Sequence, residues 1–389
     1  MRILYCTDTY PPQVNGVSLV TALSVAGLRA RGWTCGVVAP RYPKDERNVF
    51  TDAHGSGGDE DMLVAIPSVA FRPYPDARVV APAYGAIARA IRRFQPDLVH
   101  CETEFTLGRL GQIAARRAGV PLVSSYHTDF ARYTAAYGVP WLRGTVSRYI
   151  VRFHRRSRRT YTPSVPCRDE LRHAGIDDVE VWGRSVDTES YSPARRSAEV
   201  RERLGVGDRY VFLYVGRLAA EKRVEQIVEA YRAALPHLPP DSTRLVIAGA
   251  GPREAALRAT APDGTSFLGY LDRSRDLPAL YASADAFVFA SVTETLGLVV
   301  LEAMASGLPV VASPAGGVAD HLRDGVNGLS YPAGDVRAMA DAMVALVTNP
   351  DRQAELARGA RLTAESLSWS RELDRLDASY REVCSARTA

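Results

Sequence analysis

No Cys-x-x-Cys pair occurs in the 389 residues, and the five cysteines, Cys6, Cys35, Cys101, Cys167 and Cys384, are odd in number and far apart. Such usage argues against a disulfide framework and against a cysteine zinc site. It fits a reducing cytoplasm. The apolar run in the opening MRILYCTDTYPP is too short for a secretory leader. The most apolar long stretch, Leu296 to Ala312, is interrupted by Glu302, Gly307 and Pro309 and makes a poor membrane span. Charge of one sign is not in excess. The 48 Lys and Arg against 44 Asp and Glu leave +4, which speaks against a nucleic-acid-binding polycation. No fixed-period repeat is visible, so a solenoid is not expected.

What remains is an ordinary soluble composition, 46% hydrophobic and 24% charged, in a chain too long for one domain and suited to two. The order of elements points to parallel βαβ units. A short apolar run at Ile3 to Cys6 leads through Pro11, Pro12 and Gly16 into a helical period over Val17 to Arg31, which stops at Gly32. Further strands are expected at Thr34 to Ala39, Leu98 to Cys101 and Pro121 to Ser125, with a helix over Leu107 to Ala118. A second α/β series follows a boundary near Val186. It has strands at Tyr210 to Val215, Leu245 to Ala248, Thr265 to Leu268, Ala286 to Ala290 and Pro309 to Ser313, and a helix over Arg223 to Ala234. Open α/β sheets bind ligands beyond the carboxyl ends of their strands. Two doubly wound domains facing each other would therefore share one cleft.

The segment SVTETLGLVVLEAMASGLPVVAS, Ser291 to Ser313, holds the most chemistry. A buried strand ends near Ala290, a loop carries Glu294, and a helix runs from about Gly297 until Gly307 ends it. The unpaired N–H groups at the helix start, near Leu296 to Val299, suit an anion. Glu302 lies deeper in the same helix. A nucleoside diphosphate sugar matches this layout, with phosphate at the helix start, sugar hydroxyls on Glu294 and ribose hydroxyls on Glu302.

Glu294 and Glu302 form E-x7-E, and with the following EAMASGLPVVAS they resemble glycosyltransferase family 4, whose members have the GT-B fold. TDTYPPQVNGVS, SSYHTDF, VGRLAAEK, LVIAGAGP, FLGYL and DGVNGLSYPAGD occur in the family's order, so the resemblance covers nearly the whole chain. It implies two Rossmann-like domains. Residues 1–185 form the acceptor side, with a C-terminal helix over 370–389 packing back on it, and residues 186–369 hold the donor. It implies that Arg217 and Lys222 neutralise the donor diphosphate without a metal or other cofactor. Gly16 lets its loop approach the phosphates, which also meet the backbone at Leu298 and Val299. His127 faces the hexose and helps a front-face, retaining reaction. Glu294 with Leu296 and Gly297 holds the sugar, Glu302 holds the ribose, and Tyr270 and Leu271 lie near the base. Tyr10 and Asp129 flank the acceptor side. DTYPPQVNGVS, YHTDFARYTAAYG and the W-x-R-x-V-D pattern of Trp182 to Asp187 look most like bacterial α-mannosyltransferases that use GDP-mannose. Glucosyl and sulfoquinovosyl transferases that use UDP-sugars share much of this pattern. Ser185 departs from it, where many relatives have glycine. The acceptor hydroxyl belongs to a lipid, a glycan or a small molecule. Contacts from both domains imply closure around the donor.

Two other motifs are set aside. Gly249-Ala250-Gly251 follows a strand like a dinucleotide fingerprint, but Glu254 stands where the third glycine belongs. Asp59-Glu60-Asp61 has a metal-transferase pattern but lies in a Gly-rich polar stretch. Leu142 to Arg159 reads as a basic amphipathic helix. Its Arg143, Arg148, Arg152, Arg155, Arg156, Arg158 and Arg159 are interleaved with Val146, Tyr149, Ile150 and Phe153, a pattern suited to the anionic inner face of a membrane. The rival readings are a nucleotide-sugar epimerase and a binding protein that has lost turnover.

Overall fold

The structure is a computed structural model. It describes all residues except 14, 43–61, 72–73, 82, 131–133, 135–138, 368 and 387–389, so Asp59-Glu60-Asp61 lies outside the described residues. The chain divides into two compact units. Unit 1 comprises Met1–Thr128, Gly144–Gly183 and Ser370–Ala389, and unit 2 comprises Asp129–Arg143 and Arg184–Trp369.

Unit 1 is built on strands β1 (Arg2–Cys6), β2 (Thr34–Pro40), β3 (Met62–Ile66), β6 (Leu98–Cys101), β7 (Leu122–Ser125), β8 (Thr160–Thr162) and β9 (Val179–Val181). They form one sheet in the order β3-β2-β1-β6-β7-β8-β9, and every pairing in it is parallel. Strands β4 (Ser68–Phe71) and β5 (Tyr74–Val80) form a separate antiparallel pair. Four consecutive residues of β1, Ile3 to Cys6, are fully buried, as a parallel strand covered on both faces requires. The helices used below are α1 (Gly16–Arg29), α2 (Tyr84–Phe94), α3 (Thr106–Ala118) and α4 (Arg143–His154).

The basic helix is shorter than the sequence suggests. It ends at His154, and three of the arginines beyond it, Arg155, Arg158 and Arg159, are spent inside the unit. Arg155 donates to the carbonyls of Gly175 and Ala174, and Arg158 to that of Val383. Arg159 pairs with Asp178 at 2.9 Å and with Glu382 at 2.9 Å. Backbone carbonyls and acids on neighbouring segments thus compete for cations that the linear pattern assigned to one face.

Unit 2 carries β10 (Tyr210–Val215), β11 (Thr243–Ala248), β12 (Thr265–Gly269), β13 (Ala286–Phe289), β14 (Val310–Ala312) and β15 (Gly328–Ser330). The order is β12-β11-β10-β13-β14-β15, again all parallel. Its core stacks Phe212, Tyr231, Phe287, Val300, Met304 and Met343, all buried, between the sheet and the flanking helices. The helices used below are α5 (Val224–Ala234) and α6 (Leu298–Ala305). The last helix, α7 (Trp369–Ser385), lies on unit 1 for nearly its whole length. There the Trp33 indole donates to Asp377 at 2.6 Å and the Trp182 indole to the Glu372 carbonyl at 3.0 Å.

In each sheet the chain winds one way and then the other from a central strand. The reversal falls between β1 and β6 in unit 1 and between β10 and β13 in unit 2. Loops leaving the carboxyl ends of such a strand pair splay apart and leave a crevice for ligands.

Candidate active site

In unit 2 the reversal point collects the motif residues. Arg217 and Lys222 follow β10, and Glu294 follows β13, the strand paired with it. The loop after β10 is clamped to the loop after β11, with Gly216 N–H donating to Ala248 and Leu218 N–H to Ala250, both at 3.0 Å. Glycine is needed for that approach. A Cβ on Gly249 would stand 1.9 Å from the Gly216 carbonyl oxygen, and one on Gly251 would stand 2.4 Å from that of Leu218. The Gly249-Ala250-Gly251 motif therefore seats the Arg217 loop by backbone contact.

Glu294 is held in the same manner. Gly317 N–H donates to its carbonyl at 2.7 Å, and a Cβ on Gly317 would stand 2.2 Å from the Thr295 carbonyl oxygen. Lys222 Nζ donates to Glu294 Oε1 at 2.5 Å. Burial alone would push the Glu294 carboxyl up. The Lys222 ammonium, hydrogen bonds from Lys222 and Ser291, and the Arg217 charge outweigh it and hold the group below its ordinary range. Arg217 itself donates to the buried Glu221.

Gly297, at φ 77°, turns the chain into α6. The first backbone bonds of this helix run from Val300 and Leu301 to the Gly297 carbonyl, so the N–H groups of Leu298 and Val299 point past the helix start. Glu302 is buried on α6, where Arg273 donates to one oxygen and the Tyr281 hydroxyl to the other at 3.3 Å. The sequence motif contains Glu302 but not Arg273, which reaches it from the loop after β12. Tyr270 sits in that loop, 66% exposed, while Leu271 packs against the core.

In unit 1, Gly16 opens α1, capped by Asn15, whose side chain accepts from Ser18 N–H at 2.9 Å. Among the described residues, no atom beyond its chain neighbours and its own helix lies within 4 Å of where a Gly16 Cβ would stand, so their packing does not demand glycine there. Tyr10 is half-buried, its N–H within 3.3 Å of the Tyr42 hydroxyl, and Asp129, assigned to unit 2, is buried.

His127 follows β7, beside β6 in the sheet, and the structure adds a residue that the motif reading missed. The fully buried Glu102, just past β6, places Oε2 at 2.6 Å from His127 Nε2. Its other oxygen lies 3.5 Å from His100 Nδ1. His100 is itself tied at both nitrogens, to the Tyr380 hydroxyl of α7 at 2.5 Å and to Ser125 Oγ at 2.7 Å. Burial pulls the His100 pKa down to about 4 against the attraction of Glu102, so the ring is neutral. Burial likewise pushes the Glu102 carboxyl up, but the charge coupling to the neighbouring imidazoles and the hydrogen bonds from His127 and Ser125 outweigh it and hold the group below its ordinary range. The one signal in the sequence was a carboxylate immediately after a buried strand, at the end where α/β sheets bind ligands. Among the described residues no group of three or more His, Cys, Asp or Glu side chains is arranged to hold a metal ion.

Comparison with known proteins gives this geometry a lineage. Residues 14–190 match the family described as Glycosyltransferase Family 4, and residues 209–349 match Glycosyl transferases group 1. The GDP-mannose-dependent alpha-mannosyltransferase of Mycobacterium tuberculosis (strain CDC 1551 / Oshkosh) is 33% identical over 100% of this chain and 98% of its own. The enzyme of the same name from Corynebacterium glutamicum is 30% identical over 98% of this chain and 89% of its own. Among solved structures, Anabaena Alr3699/HepE in complex with UDP and glucose superposes with a TM-score of 0.78 at 20% identity, over 98% of this chain and 99% of that one. That likeness places the two sheets in the GT-B fold. With matches of this extent across both units, the protein belongs to glycosyltransferase family 4.

Proposed function

We propose that the protein moves a hexose, mannose from GDP-mannose in the first instance, to an acceptor hydroxyl with retention of configuration and without a metal. The observation that carries this reading is the contact between Lys222 and Glu294 at the strand reversal of unit 2, with Arg217 close enough to act on the same carboxylate. Three cation–carboxylate pairs, Arg217–Glu221, Lys222–Glu294 and Arg273–Glu302, occupy this region. A diphosphate draws Arg217 and Lys222 to itself, and the N–H groups of Leu298 and Val299 add their dipoles. Glu294, released from Lys222, accepts sugar hydroxyls together with the backbone at Leu296 and Gly297. Glu302, oriented by Arg273, accepts from the ribose, while Tyr270 and Leu271 serve the base. Gly16 and His127 act from unit 1, the glycine toward the phosphates and the histidine on the hexose.

In the transfer the bond from C1 to the β-phosphate oxygen breaks. The acceptor oxygen forms the new bond on the same face, and its proton leaves with the phosphate. The two fixed cations stabilise the charge that grows on the leaving diphosphate. The anomer first released from GDP-mannose in EDTA, followed by proton NMR, tests this. Mannose appearing with the donor's own configuration supports the reading, and the opposite anomer overturns it. The M. tuberculosis and C. glutamicum names favour GDP-mannose. The UDP and glucose held by the Anabaena protein make UDP-glucose the second donor to try.

We also propose that unit 1 contacts anionic membrane, through a surface different from one continuous basic helix. A groove of about 460 Å³ is lined by Val80, Phe105, Leu110, Tyr149 and Arg109. Next to it, burial and the charges of Arg109, Arg152 and Arg116 depress the pKa of Arg156, so α3 and α4 bring like charges together. Binding to vesicles containing anionic lipid, weakened by salt and by R152E/R156E, supports the contact. Equal binding to neutral vesicles contradicts it.

A further inference from the structure

His127 does not stand alone in unit 1, and its surroundings determine what its ring can do. Its Nε2 is 2.6 Å from a carboxylate oxygen of Glu102, a residue with no exposed side-chain surface. An ionised carboxylate only accepts hydrogen bonds, so a ring nitrogen at that distance must carry the proton and donate it. In the neutral imidazole the other nitrogen, Nδ1, is then the acceptor. We propose that Glu102 is a positioning residue of the transfer reaction, fixing His127 with its proton on Nε2 so that Nδ1 accepts from a hydroxyl of the reacting sugar or its acceptor. This rests on the reading that His127 acts on the hexose.

The rest of the network keeps Glu102 in that role. The titratable groups that face it are Tyr5 from β1, His100 and Cys101 from β6, His127 after β7, and Tyr380 from α7. His100 takes up neither oxygen at short range. Its nitrogens go to Tyr380 at 2.5 Å and Ser125 at 2.7 Å, and the Tyr380 hydroxyl also meets that of Tyr5 at 3.3 Å. With those partners committed, the short, charge-assisted bond of the carboxylate is the one to His127. Burial favours the neutral forms of Tyr5, Cys101 and Tyr380, so none of them is a competing charge. A buried carboxylate with one strong donor holds that donor's ring plane and tautomer, much as a carboxylate orients a metal-bound or nucleophile-activating histidine elsewhere. The sheet order makes this local. Glu102 and His127 leave neighbouring parallel strands at the same end, and α7 closes the back of the network with Tyr380.

Two measurements decide the matter. On the wild-type protein labelled with 15N-histidine, at about pH 8 where an ordinary imidazole is neutral, His127 should show a protonated Nε2 and an unprotonated Nδ1. The reverse tautomer overturns the proposal without any variant having to fold. The second is a double-mutant cycle of E102Q and H127A on transfer, with donor affinity and Tm measured in parallel. E102Q should lower kcat by about 10- to 100-fold, the range for losing a hydrogen bond to a charged group, and leave the donor Kd unchanged. It should cost nothing further in the H127A background, because both substitutions remove one device. An E102Q enzyme with wild-type kcat, or one that loses the same factor again in H127A, contradicts a positioning role. A different failure, H127A with wild-type transfer, would sink the reading of His127 itself.

Discussion

Of the 48 basic side chains only Lys44 and Lys222 are lysines. A chain that otherwise uses arginine for its cations keeps a compact ammonium at the one described position where it sits 2.5 Å from Glu294. An arginine carries its charge in a planar fork that needs more room and other partners. K222R is therefore expected to bind donor weakly and to turn over at least roughly tenfold more slowly, and K222A and E294A to lose about 10²- to 10³-fold, the usual cost of one charge-stabilising group. Initial rates on GDP-mannose check this, and wild-type rates in any of the three would remove the residue from the reaction. At this scale the sequence was legible where residues share one short segment. Glu294 and Glu302 stand eight positions apart, and the strand, loop and helix between them read directly from the apolar pattern. Arg273 and Glu102 were not legible, because each meets its partner across 29 and 25 positions respectively. No period or spacing encodes such contacts.

Elements carry the site through glycine. Gly249, Gly251 and Gly317 permit backbone-to-backbone contact that any Cβ would block. G317A is expected to cost about 1–3 kcal/mol, as overpacking does, and to weaken donor binding because the Glu294 loop must move. Among the described residues beyond its own helix, Gly85 in α2 meets nothing within 4 Å of its Cβ position, so G85A should be neutral or stabilising by up to about 1 kcal/mol. Thermal melts and donor titration of both variants test the contrast, and equal melting of G317A and wild type would contradict it. The strands expected from apolar runs, and the helices expected over Val17 to Arg31, Leu107 to Ala118 and Arg223 to Ala234, lie within about two residues of those runs, whereas β3, β4 and β5 had no counterpart in the sequence reading. Strands β8, β9 and β15, which read Thr-Tyr-Thr, Val-Glu-Val and Gly-Leu-Ser, hold no continuous apolar run to show a pattern. They are strands because parallel neighbours accept them, which is tertiary information. The same holds for the end of α4, where partners elsewhere in unit 1 take the arginines that a helical pattern would have kept.

For the molecule as a whole, alternating apolar runs were enough to give two parallel α/β sheets, and the order of motifs gave the family. Stability against pH follows from two buried histidines, one in each unit. Burial pulls His100 and His321 from 6.5 down to about 4 in the folded protein. Between those values the unfolded chain binds protons that the folded chain refuses. Stability is therefore full above about 6.5 and is lost as pH falls toward 4, by about 2 kcal/mol for each histidine at pH 5. Asp8, whose carboxyl burial pushes up, works in the opposite direction. Tm should fall from about pH 8 to pH 5, and H321Q should flatten the slope, whereas an unchanged slope would clear His321 of any part in it. The central claim, that unit 2 holds a nucleotide sugar on fixed cations, is tested most directly by calorimetric titration with GDP, UDP and GDP-mannose in EDTA. One nucleotide is expected to bind under these conditions, and K222A to weaken it. Binding that appears only after a divalent metal is added would contradict it.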